Sequence, residues 1–222
     1  MVIFVNKLIE KTLQQYPRPY LTDIELELLL DGTPNSRYGK VKRMLAQGKL
    51  LHIRRGLYCI TPEMGCIKTP HSFELAHYIY GPSYISLESA LSYHHLIPEA
   101  VYTTTSVTSK RSKEFTTPLG IFSYHQVPLT ELYTEVERVT ENERTFFIAK
   151  PWKAICDYIY CNRINWNSLE PLLQSLRIDP ENLPSLSKEE IQRLDDYYHQ
   201  KRISRFLKGI QKDLYIPVAN RV

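Results

Sequence analysis

The first sixty residues place apolar and polar positions in a pattern that predicts helices followed by a β-hairpin. Residues 2–15 carry apolar side chains at helical spacing, and the prolines of "YPRPY" end that helix because proline cannot continue it. Thr22 and Glu25 are three positions apart, the spacing of a capping box, and predict the start of a second helix. Gly32 is the stop signal for that helix.

A third helix and a hairpin follow. Thr33 can cap the helix, Pro34 suits its first position, and Gly48 suits the left-handed residue just past its end. The runs "KLLHI" and "LYCI" then predict two short strands around a tight turn at Arg55-Gly56. Three helices and a hairpin in this order are typical of a winged helix-turn-helix.

The rest of the chain has the pattern of a larger mixed domain. Helical spacing recurs in "HSFELAHYIY" and "SLESALSYHHLI", and two strand-like runs between Val101 and Val127 flank the basic loop "TSKRSKEF". The run "TFFIA" predicts a further strand, and "KPWKAICDYIY" predicts a helix. The tail from Ser168 is largely helical, with Ser187 and Glu190 as another capping box.

These elements predict an α+β protein of two domains, for which 222 residues are sufficient. We expect a winged helix-turn-helix DNA-binding domain at residues 1–61. A mixed α/β C-terminal domain at residues 62–222 is expected to follow. It is mixed to about residue 150 and mainly helical after that point, as the tail pattern predicts.

Positive charge is concentrated in the N-terminal quarter. The net charge is +4, but residues 1–60 carry ten Lys and Arg against five Asp and Glu, whereas the remaining chain carries eighteen against nineteen. Residues 35–60 hold seven cations, and no acid occurs from Gly32 to Pro62. An acid there would repel phosphate, so the one-sided charge predicts a polyanionic partner, and we expect double-stranded DNA.

The third helix supplies most of the predicted DNA contacts. At 100° per residue, Tyr38, Val41 and Leu45 fall on one face, which predicts the buried stripe. Lys42 points toward the inner half and is expected to snorkel. The opposite face is polar and cationic and suits the phosphates and guanine edges of a major groove, and two arginines lie at the predicted wing. The predicted DNA-binding residues are Asn35, Ser36, Arg37, Lys40, Arg43, Gln47, Arg54 and Arg55.

A smaller basic cluster lies in the predicted loop of the C-terminal domain. Lys110, Arg111 and Lys113 form the only cation cluster between two predicted strands there. Exposed loop tips are common sites of partner contact, so these residues are predicted to contact a partner or to form a secondary nucleic-acid contact. A loop that is merely solvated is the alternative.

Composition and spacing exclude several classes. The chain shows no charged-then-apolar leader and no apolar run of about 18 residues, so we expect a cytoplasmic protein without membrane contact. The four cysteines, spaced C-x6-C and C-x4-C, predict buried free thiols rather than a zinc or redox site. Adjacent His94 and His95 diverge on a helix, Asp157 lacks partner carboxylates, and the eight glycines are not clustered. We therefore predict no catalytic residue, metal or cofactor.

The stretch "LAQGKLLHIRRGLYCI" resembles the wing of AbiEi-type antitoxins from abortive-infection toxin–antitoxin systems. The family pattern of leucine, glycine and leucine followed by arginine-glycine-x-tyrosine is matched by Leu45, Gly48, Leu50, Arg55, Gly56 and Tyr58.

Three later stretches resemble the same family in the same order, so the resemblance covers nearly the whole chain. They are "YISLESALSYHHLIP", "VTSKRSKEFTTPLGIFSYHQVP" and "FFIAKPWKAICDYIY". The family commonly has a His-Gly pair where this chain has His94-His95, which puts the geometry of that turn in question. The last stretch matches the family pattern through Ala149, Pro151, Lys153, Ala154 and Asp157.

The resemblance implies an antitoxin with two roles. Its winged helix would repress its own operon by binding promoter DNA, with inverted repeats as the expected operator. Its C-terminal domain would counter a nucleotidyltransferase-like toxin encoded nearby, by direct binding or by a functional route. Two alternatives remain open: a stand-alone winged-helix transcriptional regulator, or a C-terminal domain with nuclease or toxin-modifying transferase activity.

Overall fold

The structure is a computed structural model that describes residues 11–66, 68–127 and 131–215. It combines α-helices with two β-sheets, so the expected α+β class is confirmed. Among these residues, every helix is too short or too polar to cross a membrane.

The chain divides into two compact units. The first takes in Met1–Ile79 and Thr116–Gly120, and the second takes in Tyr80–Phe115 and Ile121–Val222. The first unit therefore extends past residue 61, where the domain boundary was predicted.

The first unit contains a three-stranded antiparallel sheet and short helices. Residues 11–14 are helical, and the earlier part of the helix predicted at residues 2–15 lies outside the described residues. The sheet has the order β1-β3-β2. A single 3₁₀ turn at Pro62–Met64 follows the hairpin. The other elements are β1 (Tyr20–Thr22), α1 (Asp23–Leu29), α2 (Pro34–Ala46), β2 (Leu50–Arg54), β3 (Leu57–Ile60) and α3 (Ser72–Tyr80).

The predicted starts of α1 and α2 and the predicted glycine past the end of α2 are confirmed. Thr22 accepts a hydrogen bond from the backbone N–H of Glu25, and the Glu25 carboxylate accepts one from the backbone N–H of Thr22, which completes the capping box. Thr33 caps α2 with Pro34 at its first position. Gly48 adopts φ +68° just past the end of α2. Helix α1 ends at Leu29, before the predicted stop at Gly32.

An apolar cluster in the core of the first unit joins its helices and sheet. It brings together the end of the first helical segment, β1, both central helices, the hairpin and the 3₁₀ turn. Val41 and Leu45 of α2 pack against its edge. Its buried members are Leu13, Leu21, Leu26, Leu30, Met44, Leu50, Ile60, Met64 and Cys66.

The second unit is built on a six-stranded mixed sheet of order β6-β7-β5-β4-β9-β8. Strand β4 pairs antiparallel with β5 and parallel with β9, β5 runs parallel to β7, and β8 and β9 form an antiparallel hairpin. The strands are β4 (Ser83–Ile85), β5 (Thr103–Thr108), β6 (Lys113–Thr117), β7 (Gly120–Gln126), β8 (Val136–Glu141) and β9 (Arg144–Ala149).

Three strands of this sheet, β4, β6 and β8, were not predicted. Strand β6 was taken as part of the basic loop, and β8 was missed because its sequence "VERVTE" is polar. Both lie at the edges of the sheet, where polar residues face solvent and periodicity is weak. Lys113 is therefore the first residue of a strand and not part of a loop.

The helices of the second unit were largely predicted. Pro151 begins the helix of "KPWKAICDYIYC". Ser187 caps the helix that begins at Lys188, because its side chain accepts a hydrogen bond from the backbone N–H of Glu190. All four cysteines of the chain are free thiols, and Cys161 is the one that is only half-buried. The helices are α4 (Leu87–Tyr93), α5 (Pro151–Cys161), α6 (Leu169–Leu176), α7 (Lys188–Tyr198) and α8 (Lys201–Tyr215).

Candidate functional site

Helix α2 is turned differently from the sequence prediction. Met44 is its buried residue, and Val41 and Leu45 are half-buried beside it. Tyr38, predicted as part of the buried stripe, is 71% exposed, so that assignment is wrong. The stripes of Tyr38 and of Met44 both include Val41 and Leu45, and the core of this unit accommodates Met44.

This rotation sorts the predicted cations of α2 into two groups. Lys42 and Arg43 are exposed, so the prediction that Lys42 snorkels toward the core is wrong. Lys40 is half-buried and donates from Nζ to the backbone O of Asp31 at 2.7 Å. Arg37 is half-buried and lies 3.4 Å from the carboxylate of Glu27. Two of the predicted DNA contacts are therefore engaged within the unit.

We call the exposed stripe Asn35, Lys42, Arg43 and Ala46 the solvent face of α2. Asn35, Lys42 and Ala46 recur at helical spacing, Arg43 lies beside that row, and all four are open to solvent. Arg43 is held in place by a 3.3 Å hydrogen bond from Nε to the backbone O of Gly39. The face therefore presents two cations that point about 100° apart around the helix.

The other predicted DNA contacts lie at the ends of α2 and on the hairpin. Ser36 and Gln47 are exposed. Arg55 is exposed at the turn between β2 and β3, and Arg54 is half-buried. Gly56 completes that turn with φ +79°, a conformation that disfavours side chains.

The acid-free run of sequence does not give an acid-free surface. Asp23 and Glu27 of α1 line a cavity of about 210 Å³ together with Arg37, Tyr38 and Tyr58. Burial, and after it the nearby Asp23 carboxylate, raises the pKa of Tyr58. Carboxylates from the preceding helix thus lie among the cations, which sequence distance alone could not reveal.

The predicted basic cluster at residues 110–113 is partly tied to its own unit. Lys110 donates from Nζ to the backbone O of Gly81 and lies 5.2 Å from the ring centre of Tyr80. Lys113 lies 4.9 Å from the ring centre of Phe115. Arg111 is exposed, and its backbone O accepts a hydrogen bond from the Tyr80 hydroxyl. Arg111 is the member of the cluster most open to a partner.

The second unit holds a buried ion pair that sequence reasoning assigned no role. Lys153 and Asp157 are one turn apart on α5, and both side chains are 0% exposed. Lys153 Nζ lies 2.7 Å from Asp157 Oδ1 and 2.8 Å from the hydroxyls of both Tyr84 and Tyr198. Asp157 Oδ2 accepts hydrogen bonds from Ser86 at 2.7 Å and from Tyr84 at 3.0 Å.

This network satisfies its charges internally. The three hydrogen-bond donors of the ammonium match its three oxygen partners, and the Tyr197 ring centre lies 4.0 Å from Nζ. Burial lowers the pKa of Lys153, while Asp157 opposes that shift. Burial also raises the pKa of Tyr84 and Tyr198 well above its usual value. The network joins α5 to β4 and α7 in the interior of the second unit.

The serine and histidine residues near α4 also serve the fold. Ser89 accepts a hydrogen bond from Thr105 N at 2.8 Å, and His94 Nε2 lies 2.8 Å from the backbone O of Ala149. His95 adopts φ +58°, a left-handed conformation that favours glycine.

A cavity of about 560 Å³ in the second unit is lined by acidic side chains and by no basic one of Lys or Arg type. Glu88, Glu99 and Glu114 are among its lining residues, which include no lysine or arginine. Ser123 Oγ and His125 Nε2 lie 3.2 Å apart in its wall. In the part of the chain that the structure describes, no group of three or more His, Cys, Asp or Glu side chains is placed to hold a metal ion.

Comparison of the chain with protein-family models and with curated proteins finds no match.

Proposed function

We propose that the protein is a DNA-binding antitoxin that represses its own operon and counters a toxin encoded nearby. The observation that carries the DNA-binding half is the topology of the first unit. A helical segment, a strand, two helices and a hairpin follow in order, and the first strand pairs with the last. That arrangement is typical of a winged helix-turn-helix, whose second central helix enters the major groove.

The solvent face of α2 supports the same proposal. A helix that enters the groove must present cations to phosphates and guanine edges, and Lys42 and Arg43 are both exposed, with Arg43 Nε bonded to the backbone O of Gly39. Arg55 at the hairpin turn suits a backbone contact beside the groove. Arg37 and Lys40, which the sequence placed in the interface, contribute mainly by fixing α2 against α1 and the chain that follows it.

The antitoxin half is supported by the resemblance of four ordered sequence stretches to AbiEi-type antitoxins. The Lys153–Asp157 network gives two residues of the fourth stretch a physical role, because they hold the second unit together. A stable second unit is what a toxin-directed domain would need.

Two experiments test the two halves separately. For DNA binding, the full chain is titrated with the duplex that precedes its gene and with a scrambled duplex of equal length at physiological salt. We expect at least about a thousandfold preference, the lower range for specific binding. Equal affinity for the two duplexes would refute sequence-specific repression.

For the antitoxin role, the chain is co-expressed with the adjacent open reading frame, and growth is measured. Growth inhibition by the neighbour alone and recovery with the full chain would support the proposal. A harmless neighbour, or one whose toxicity the chain leaves unchanged, would refute the antitoxin half and leave the regulator.

A further inference from the structure

Helix α8 carries a row of cations along one side. The row consists of Lys201, Arg205, Lys208 and Lys212. Their spacings of four, three and four residues place them in one stripe of the helix. All four line one groove that is open to solvent. No acid occurs from His199 to Lys212. At about 1.5 Å of rise per residue, the stripe spans about 16 Å.

The stripe lines a groove of about 620 Å³ together with Asn167 and Ser204. A second groove of about 440 Å³ shares Lys201 and Arg205 and adds Arg202. Asp213 is the one acid that lines the first groove, and its Oδ2 accepts a hydrogen bond from the backbone N–H of Leu169 at 2.7 Å. That carboxylate is engaged at the start of α6, so cations dominate the groove.

The opposite side of α8 is buried. Ile203, Phe206, Leu207 and Ile210 are at most 1% exposed. The helix approaches the preceding segment so closely that a Cβ on Gly209 would lie 1.8 Å from the backbone O of Asn167. The cations are therefore presented on a fixed helix. Because the apolar side is already covered, α8 cannot insert that side into a lipid surface.

The residues that line the groove indicate which class of anionic partner it can bind. Its lining residues include no aromatic and no large apolar side chain. Peptide and protein partners are held mainly by apolar or aromatic anchors, and single-stranded nucleic acid is held by stacking on aromatic rings. The phosphate backbone of a duplex needs neither, because regularly spaced charge and counterion release supply its affinity.

We infer that the α8 groove is a binding site for the phosphate backbone of duplex nucleic acid, independent of base sequence. The site belongs to the second unit, and the inference does not rest on the proposed role of α2. A first unit that bound no DNA would leave the inference standing. A duplex contacted only by α2 would contradict the inference and leave the proposed DNA binding intact.

The test measures binding of the full chain to a duplex of random sequence by fluorescence anisotropy from about 50 to about 300 mM salt. The variant Arg205→Gln with Lys208→Gln removes two groove charges. The control Arg138→Gln with Arg144→Gln removes two charges from the β8–β9 hairpin of the same unit. Each lost phosphate contact lowers the slope of log affinity against log salt by about 0.9.

We expect the groove variant to lower that slope by about 1.8 and the hairpin control to leave it unchanged. A duplex affinity and slope equal to those of the unaltered chain in the groove variant would overturn the inference. A chain that binds no random duplex would also overturn it. Displacement of the duplex by poly-glutamate of equal charge would overturn the duplex assignment in favour of an acidic protein partner.

Discussion

Nζ of Lys153 lies 2.7 Å from Oδ1 of Asp157, one turn further along α5, and neither side chain has any solvent exposure. A buried ion pair is costly to form and more costly to break, because the remaining charge keeps its desolvation cost and loses its partner. The tyrosines and the serine around the pair make it a junction between α5, β4 and α7.

Removing one member of this pair should strongly destabilise the second unit. We expect Lys153→Met or Asp157→Leu to lower the free energy of unfolding by about 3–5 kcal/mol. The double variant should lose less than the sum of the two, because no unpaired charge remains. Urea denaturation followed by circular dichroism measures all three. Single variants within about 1 kcal/mol of the unaltered chain would show that the pair is not a structural junction.

Substitution by alanine at two helical glycines should change the stability of the protein in opposite directions. A Cβ added at Gly39 of α2 would meet nothing within 4 Å, whereas a Cβ added at Gly209 of α8 would lie 1.8 Å from Asn167 O. Gly39→Ala should add up to about 1 kcal/mol through helix propensity. Gly209→Ala should cost about 1–3 kcal/mol or more through overpacking. Thermal melts of the two variants provide the comparison, and equal shifts would contradict the close approach of α8.

His95 is expected to be replaceable by glycine with a gain in stability. Its φ of +58° is strained for a residue with a Cβ, and glycine adopts it without that strain. We expect His95→Gly to raise the free energy of unfolding by about 0.5–1 kcal/mol. His95→Ala serves as the control, because it removes the imidazole and keeps the strain. A gain of the same size in both variants would assign the effect to the imidazole instead.

Glu135 should contribute to the acid sensitivity of the second unit. Burial would raise its pKa, but hydrogen bonds from Lys150, at 2.9 Å, and from Arg193 outweigh burial and hold the pKa below its usual value. A carboxyl with a lowered folded pKa adds stability above its unfolded pKa of about 4.3 and loses it as pH falls through the folded value. We expect the unaltered chain to lose more stability than Glu135→Gln between about pH 5 and about pH 3. Stability is measured by urea denaturation at each pH. Equal losses of stability in the unaltered chain and in Glu135→Gln would show that Glu135 does not contribute to acid sensitivity.

Local signals in the sequence predicted much of the fold. Thr22, Thr33 and Pro34 mark the helix starts, and Gly48 and Gly56 mark turns with positive φ. Each depends on neighbours within a few residues, which is why sequence alone can identify it. Edge strands β6 and β8 were missed because neither has a buried face to impose an alternating pattern.

The candidate sites depended on contacts between distant residues and were predicted less well. Two stripes on α2 share Val41 and Leu45, and only the packed core decides between Tyr38 and Met44. Lys153 and Asp157 have the i, i+4 spacing of an ordinary solvated pair, and their burial arises from tyrosines some forty and seventy residues away. The cations of α8 were hidden because the acids of α7 cancel them in the charge balance of the domain.

The proposed DNA binding requires that the solvent face of α2 contacts the duplex. Its most direct test compares two variants that each remove two cations from this helix: Lys42→Gln with Arg43→Gln, and Arg37→Gln with Lys40→Gln. Affinity for the duplex that precedes the gene is measured over a series of salt concentrations. We expect the first variant to lower the salt slope by about 1.8, and the second to lower stability and leave the slope nearly unchanged. An unchanged slope in the first variant, or a larger loss of slope in the second, would contradict the proposed contact.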